Sequence, residues 1–376
     1  MTCNRRSFIW KGTSIAASAS LAGLAACTGQ KKETVQTEVK KVVKWPVTFG
    51  PDKPKMCLWC TSDKSYMRKL KQIGVDHVIS GGPGLPWTEK SLREYQDLFK
   101  SEGLTLINLM IGGFDKAIYG REGRDEEISK VQESIVAAGK VGLPVVEYNF
   151  YAHRFVDGYY DTTARGGART LSMDYEIAKN LPTDPSEGKP LTAEQLWENL
   201  TYFLKAIIPV AEKAGVRMAL HPNDPPVPES HGHAQIVATF NDWKRIISIV
   251  DSPSNGMTYD CGVSREIGED PLEVLEYLGS RDRINHIHYR NVVTTIPSLK
   301  YEEVFFDEGE VNMFAVMQNI FKLGYKYGIF PEHPRALDYD RQYPGGVGKN
   351  PGDAGYTGWT YNVAYCKAMM QAVESI

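Results

Sequence analysis

Four polar residues each close a short apolar run: His221 in RMALHP, Asp260 in NGMTYDCG, His288 in INHIHYRN and Glu332 in KYGIFPEH. Each run is the length of one buried strand, and the first three lead into segments with helical periodicity. Side chains at the carboxyl ends of successive parallel strands converge at one mouth of a barrel. Two imidazoles and two carboxylates meeting there would make a divalent-metal site. Taken singly, a strand His is more often a hydrogen-bonded core residue, and an Asp after a strand is often a helix N-cap. Repetition at equivalent positions on four consecutive strands is what favours a metal. His286 shares the inward parity of His288 but lies one step deeper, where a packed, hydrogen-bonded ring is expected. Arg290 has the same parity one step further out. It suits a two-bond clamp on a carboxylate, the plainer alternative being a surface ion pair at the strand end.

These residues need a scaffold of alternating strands and helices, and the chain supplies one. Strands are expected over 55–60, 77–81, 104–111 and 144–150, then at the four runs above. Helices are expected over 64–74, 89–102, 125–142, 192–215, 240–250, 271–279, 313–323 and 358–375. The helix over 192–215 opens on the capping-box pattern Thr192-Ala193-Glu194-Gln195. Eight strand–helix pairs of roughly 30–45 residues each predict an α/β chain folded as a (β/α)8 TIM barrel. A doubly wound open sheet is the alternative, but the first strand–helix turn has no Gly-rich phosphate loop. The stretch between Phe150 and Thr192, rich in Gly, Tyr, Arg and Asp, breaks the rhythm. A long loop leaving the carboxyl end of the fourth strand is expected to be a lid or substrate-contact segment.

The chain has 376 residues and a formal net charge of −3. Its Lys and Arg are scattered, which argues against a nucleic-acid partner. Asn4-Arg5-Arg6-Ser7-Phe8-Ile9 reads as a twin-arginine export signal, and Leu24-Ala25-Ala26-Cys27 as a lipobox. Residues 1–27 are therefore expected to be a lipoprotein signal peptide, 28–46 a flexible tether and 47–376 the catalytic domain. The expected place is the periplasm or cell envelope, with membrane contact only through a lipid on Cys27. Cys57-Leu58-Trp59-Cys60 is formally a CxxC, but packing thiols or a local disulfide are the expectation. His231-Gly232-His233 could form a second metal pair, with a substrate loop or solvated rings as the plainer reading.

Several motifs resemble the mannonate dehydratase family of metal-dependent barrels, related to the xylose isomerase-like group. They are Tyr148-Asn149-Phe150, His221-Pro222-Asn223-Asp224-Pro225-Pro226, Asp251-Ser252-Pro253-Ser254-Asn255-Gly256, His288-Tyr289-Arg290-Asn291 and Pro331-Glu332-His333. The resemblance implies a metal, typically manganese, held by His, Cys, His and Asp at the ends of strands five to eight. Carried over by position, the ligands are His221, Asp260, His288 and Glu332. His333 and Tyr356 become the acid/base pair, and Arg290 and Asn149 substrate contacts. Two ligands depart from the family: Asp260 stands where it has Cys, with Cys261 one step later, and Glu332 where it has Asp. Both changes favour Mn²⁺ or Mg²⁺ over softer metals and move the set toward that of the ketose epimerases.

The resemblance therefore implies a lyase that dehydrates an aldonic acid such as mannonate to a 2-keto-3-deoxy acid. Such an enzyme removes the proton α to a carboxylate and expels the neighbouring hydroxyl. A sugar or uronate isomerase or epimerase is the alternative, and a non-catalytic sugar-acid-binding lipoprotein the third reading. The partner in each case is a small sugar or sugar acid, and a homo-oligomer is compatible with the chain.

Overall fold

Short, largely buried strands build the centre of the molecule, as expected where helices cover a parallel sheet. The computed structural model describes residues 45–342 and 354–376, except 185 and 187. The signal peptide read over 1–27 and most of the tether lie outside the described residues. Four strands come first: β1 (Lys55–Trp59), β2 (His77–Gly81), β3 (Thr105–Ile111) and β4 (Val145–Tyr148). An excursion adds β5 (Tyr159–Thr163) and β6 (Arg169–Asp174), and β7 (Arg217–Leu220) returns to the centre. A small hairpin of β8 (Glu229–Ser230) and β9 (His233–Ala234) precedes β10 (Asn255–Asp260) and β11 (Ile284–His288). A second excursion forms β12 (Asn291–Ile296) and β13 (Lys300–Val304), and β14 (Gly328–Phe330) completes the set.

Eight of these strands close a barrel in the order β1-β14-β11-β10-β7-β4-β3-β2, every pair parallel. Every residue of β4, β10, β11 and β14 is buried. The expected fifth to eighth barrel strands are thus β7, β10, β11 and β14. The helices fall where periodicity places them. Ala193–Ala214 opens on the Thr192–Gln195 capping box, stops at Gly215 (φ 69°), and buries Leu196, Leu200, Phe203, Leu204, Ile207 and Ala211 along one stripe. Three short helices escape the periodicity, Asp115–Tyr119, Cys261–Glu266 and Asp338–Gln342. Among the described residues no helix is long and apolar enough to cross a membrane.

The segment expected to be a lid loop has a sheet of its own. β5 and β6 form a hairpin that pairs with the later hairpin in the order β12-β13-β6-β5, all antiparallel. The sequence reading missed it because β6 finds its partner in β13, Leu171 opposite Glu303, far along the chain. A small core of Phe155, Met173, Tyr175, Ala178, Val227, Val292 and Tyr301 backs this sheet. The cysteines Cys57, Cys60, Cys261 and Cys366 are free and buried, so the CxxC is a pair of packing thiols.

Candidate active site

Strand ends deliver the central residues. Asp260 is the last residue of β10 and His288 the last of β11; His221 follows β7 by one residue and Glu332 follows β14 by two. His221 Nδ1 lies 2.6 Å from the carbonyl of Pro222. Donation there leaves Nε2 with its lone pair, facing His288 Nδ1 at 3.1 Å. The same His288 nitrogen is 3.0 Å from Glu332 Oε1 and 3.9 Å from Asp260 Oδ2. Ligand atoms of Asp260, His288 and Glu332 all lie within 4.8 Å of one another. Glu332 Oε1 is buried and ion-paired to His288 and, at 3.2 Å, to Arg290 Nε. A bare imidazole nitrogen and two buried carboxylates meeting at one point fit a divalent cation.

Asp260 divides its two oxygens. Oδ1 accepts from Val263 N at 2.8 Å and caps the helix Cys261–Glu266, while Oδ2 faces the cluster. The N-cap and ligand readings of this Asp therefore hold together. Cys261 turns away, its thiol 3.1 Å from the carbonyl of Arg290.

Two carboxylates that the sequence reading passed over orient the histidines. Glu147, on β4, is buried inside the barrel; it accepts from Asn108 Nδ2 at 3.0 Å and Thr258 Oγ1 at 2.7 Å. Its Oε1 is 3.3 Å from His288 Nε2. A carboxylate behind the far nitrogen is how proteins aim a ligating imidazole. Glu303, on β13, accepts from His333 Nδ1 at 2.6 Å and from Arg335 Nη2 at 3.0 Å. A charged residue inside an apolar run such as VVEY is costly to bury without a task, and that cost was the available signal for Glu147. Glu303 carries no comparable mark in KYEEV.

The electrostatics follow from these contacts. Burial, with His288 alongside, pushes the His221 pKa down to about 4, so this ring is neutral. Burial also opposes charge on His288, but the carboxylates of Glu332 and Glu147 outweigh it and hold its pKa well above the ordinary value. His333 follows the same logic: burial lowers its pKa, and Glu303 and Glu332 more than restore it. Burial raises Glu332, yet His288, His333 and Arg290 keep its carboxyl well below the usual range.

A cavity of about 320 Å³ opens onto this cluster, lined by His221, His288, Glu332, His333 and Asn149 among others. Three expectations are corrected. Arg290 is 1% exposed, and its guanidinium sits among Asp260 (2.9 Å), Glu266 (2.5 Å), Asp224 (3.2 Å) and Glu332 (3.2 Å). It neutralises the protein's own carboxylates rather than presenting a free clamp. Tyr356 is not brought to the cavity, because its hydroxyl donates to the carbonyl of Lys69 at 2.9 Å at the start of the last helix. His286 is buried as expected but its ring nitrogens lack hydrogen-bond partners, Glu147 lying 4.0 Å away. His231 and His233 do not form a pair either. His231 stacks on His153 at 3.9 Å, and His233 is buried with Nδ1 accepting from Leu191 N at 3.0 Å.

Known proteins share this sequence and fold. The family profile described as D-mannonate dehydratase (UxuA) matches residues 172–376. A mannonate dehydratase of Enterococcus faecalis is 31% identical over 325 residues, covering 75% of this chain and 89% of that protein. The crystal structure of mannonate dehydratase from Streptococcus suis serotype 2 superposes with a TM-score of 0.75 at 26% identity, over 85% of this chain and 95% of that one. A xylose isomerase domain protein from Planctomyces limnophilus shares the fold, with a TM-score of 0.54 at 12% identity, over 86% of this chain and 100% of its own.

Proposed function

The chain belongs to the mannonate dehydratase family, and from that premise we propose that it dehydrates an aldonic acid of the mannonate type, with Mn²⁺ or Mg²⁺ held by His221, Asp260, His288 and Glu332. It is a sugar-acid dehydratase, hence a hydro-lyase. The observation that carries the metal assignment is the convergence of His221 Nε2 and Glu332 Oε1 on His288 Nδ1, at 3.1 and 3.0 Å. Asp260 and Glu332 add oxygen donors to imidazole nitrogen, a mixture that suits a hard divalent ion. Such an ion would supply Lewis-acid stabilisation for the charge that builds on the substrate carboxylate as the α proton leaves.

The chain's own groups handle positions and protons. Glu147 fixes the ring of His288 from behind, and Arg290 offsets the charge of the carboxylates it touches. His333 is the acid/base group: Glu303 takes its Nδ1–H, and Nε2 stands 3.6 Å from Glu332 Oε2 on the cavity side. Because Glu303 and Glu332 favour its protonated form, His333 is suited to give a proton to the departing hydroxyl. Asn149, also in the cavity wall, is available to the sugar hydroxyls.

Dialysis against a chelator should abolish dehydration of D-mannonate, and adding Mn²⁺ or Mg²⁺ should restore it in the wild type but not in His221→Ala. Full activity in the stripped protein would contradict the assignment. We also propose that the enzyme acts outside the cytoplasm as a lipid-anchored protein, supported by the twin-arginine pattern at Arg5-Arg6 and the lipobox ending at Cys27. Replacing both arginines by lysine should retain the protein in the cytoplasm. Unaltered fractionation of that variant would refute twin-arginine export.

A further inference from the structure

Two guanidinium groups reach the site, and their surroundings differ. Arg290 is enclosed by protein carboxylates, as described. Arg154 comes from the segment between β4 and β5, is exposed, and is the only arginine or lysine among the described residues lining the cavity. Its Nε donates to the backbone carbonyl of Asp224 at 3.1 Å, which ties the side chain to the barrel mouth. Among the described residues no carboxylate forms an ion pair with it. The Asp224 carboxylate is already engaged elsewhere. Its Oδ1 accepts from Tyr159 at 2.8 Å and Tyr301 at 3.1 Å, and its Oδ2 is 3.2 Å from Arg290 Nη2.

The cavity wall also carries Glu147, Asp224 and Glu332. A sugar acid entering it meets three like-charged groups, whereas a neutral sugar does not. A planar, permanently charged fork with its outer donors uncommitted is the group that recognises a carboxylate there. We propose that Arg154 anchors the carboxylate of the aldonic acid through its two terminal nitrogens, while its Nε keeps it fastened to Asp224. This role rests on the sugar-acid dehydratase reading and adds the residue that separates acids from neutral sugars. It also moves the carboxylate clamp expected of Arg290 to a residue on the excursion after β4.

The test measures kcat and KM for D-mannonate, together with Mn²⁺ affinity, on the metal-loaded wild type, Arg154→Gln and Arg154→Lys. Loss of a charge-assisted pair should raise KM roughly 10- to 100-fold in Arg154→Gln, with a smaller rise in Arg154→Lys and unchanged Mn²⁺ affinity in both. A KM within twofold of wild type in Arg154→Gln would overturn the proposal, as would a parallel loss of Mn²⁺ affinity in both variants. If the wild type fails to dehydrate D-mannonate, the dehydratase reading falls separately. Calorimetric titration with D-mannonate then decides on Arg154. Binding by the wild type that weakens at least tenfold in Arg154→Gln supports the anchor; equal binding, or none, overturns it.

Discussion

At the scale of single residues, the site turns on how buried carboxylates set the state of each imidazole. His333 sits in the left-handed region at φ 46°, a backbone conformation that costs about 1–2 kcal/mol for an ordinary residue. Glu303 accepts from the ring and Arg335 donates to the His333 carbonyl, so the fold holds that conformation in place. Asn tolerates this region well, so His333→Asn should keep the melting temperature while kcat falls by roughly 10²–10⁴. Retained activity in that variant would remove His333 from the chemistry. Glu303→Gln tests positioning differently. Without the carboxylate the ring's pKa drops, so the limb on which activity declines with rising pH should move to lower pH; an unmoved profile would leave Glu303 a structural residue. The four strand-end residues were legible because chemistry-bearing residues recur at equivalent strand ends, and His333 through the family resemblance of Pro331-Glu332-His333. Glu303 was not, because its partner comes from a hairpin whose pairing is settled only in three dimensions.

At the scale of elements, the turn from β10 into the helix Cys261–Glu266 places Asp260 and the backbone against which its counter-ion Arg290 packs. Asp260 caps the helix, and Gly262, one residue into it, lies against Arg290. A Cβ there would stand 2.8 Å from Arg290 Cγ and Nη1. Gly262→Ala would gain about 0.5–1 kcal/mol of helix propensity. Overpacking costs about 1–3 kcal/mol, and Arg290 cannot step aside without leaving its carboxylates. The expected result is a lower melting temperature together with weaker Mn²⁺ binding. A more stable variant with unchanged binding would show that the Arg290 cluster is looser than its contacts imply. Apolar runs and caps made the barrel strands and main helices readable. The four-stranded excursion sheet was hidden because strands with mixed polar faces give weak periodicity and because β6 and β13 are distant in sequence. Tyr356 was misplaced because it was carried over from the resemblance, and position in the sequence does not fix which neighbour its hydroxyl meets.

For the whole molecule, a closed parallel barrel brings the ends of β7, β10, β11 and β14 to one mouth, and the excursion sheet supplies Glu303 from its own strand. Tyr159 on β5 and Tyr301 on β13 both donate to Asp224, which joins that sheet to the loop after β7. The site is therefore a joint product of barrel and excursions, whereas the sequence disclosed chiefly the barrel's share. Dehydration of a sugar acid by this arrangement is tested most directly by proton NMR of D-mannonate incubated in D₂O with the Mn²⁺-loaded protein. A new C3 methylene signal, partly deuterated, is expected as the substrate becomes a 2-keto-3-deoxy acid. Deuterium exchange at C2 without a new methylene, or an unchanged spectrum, would contradict it.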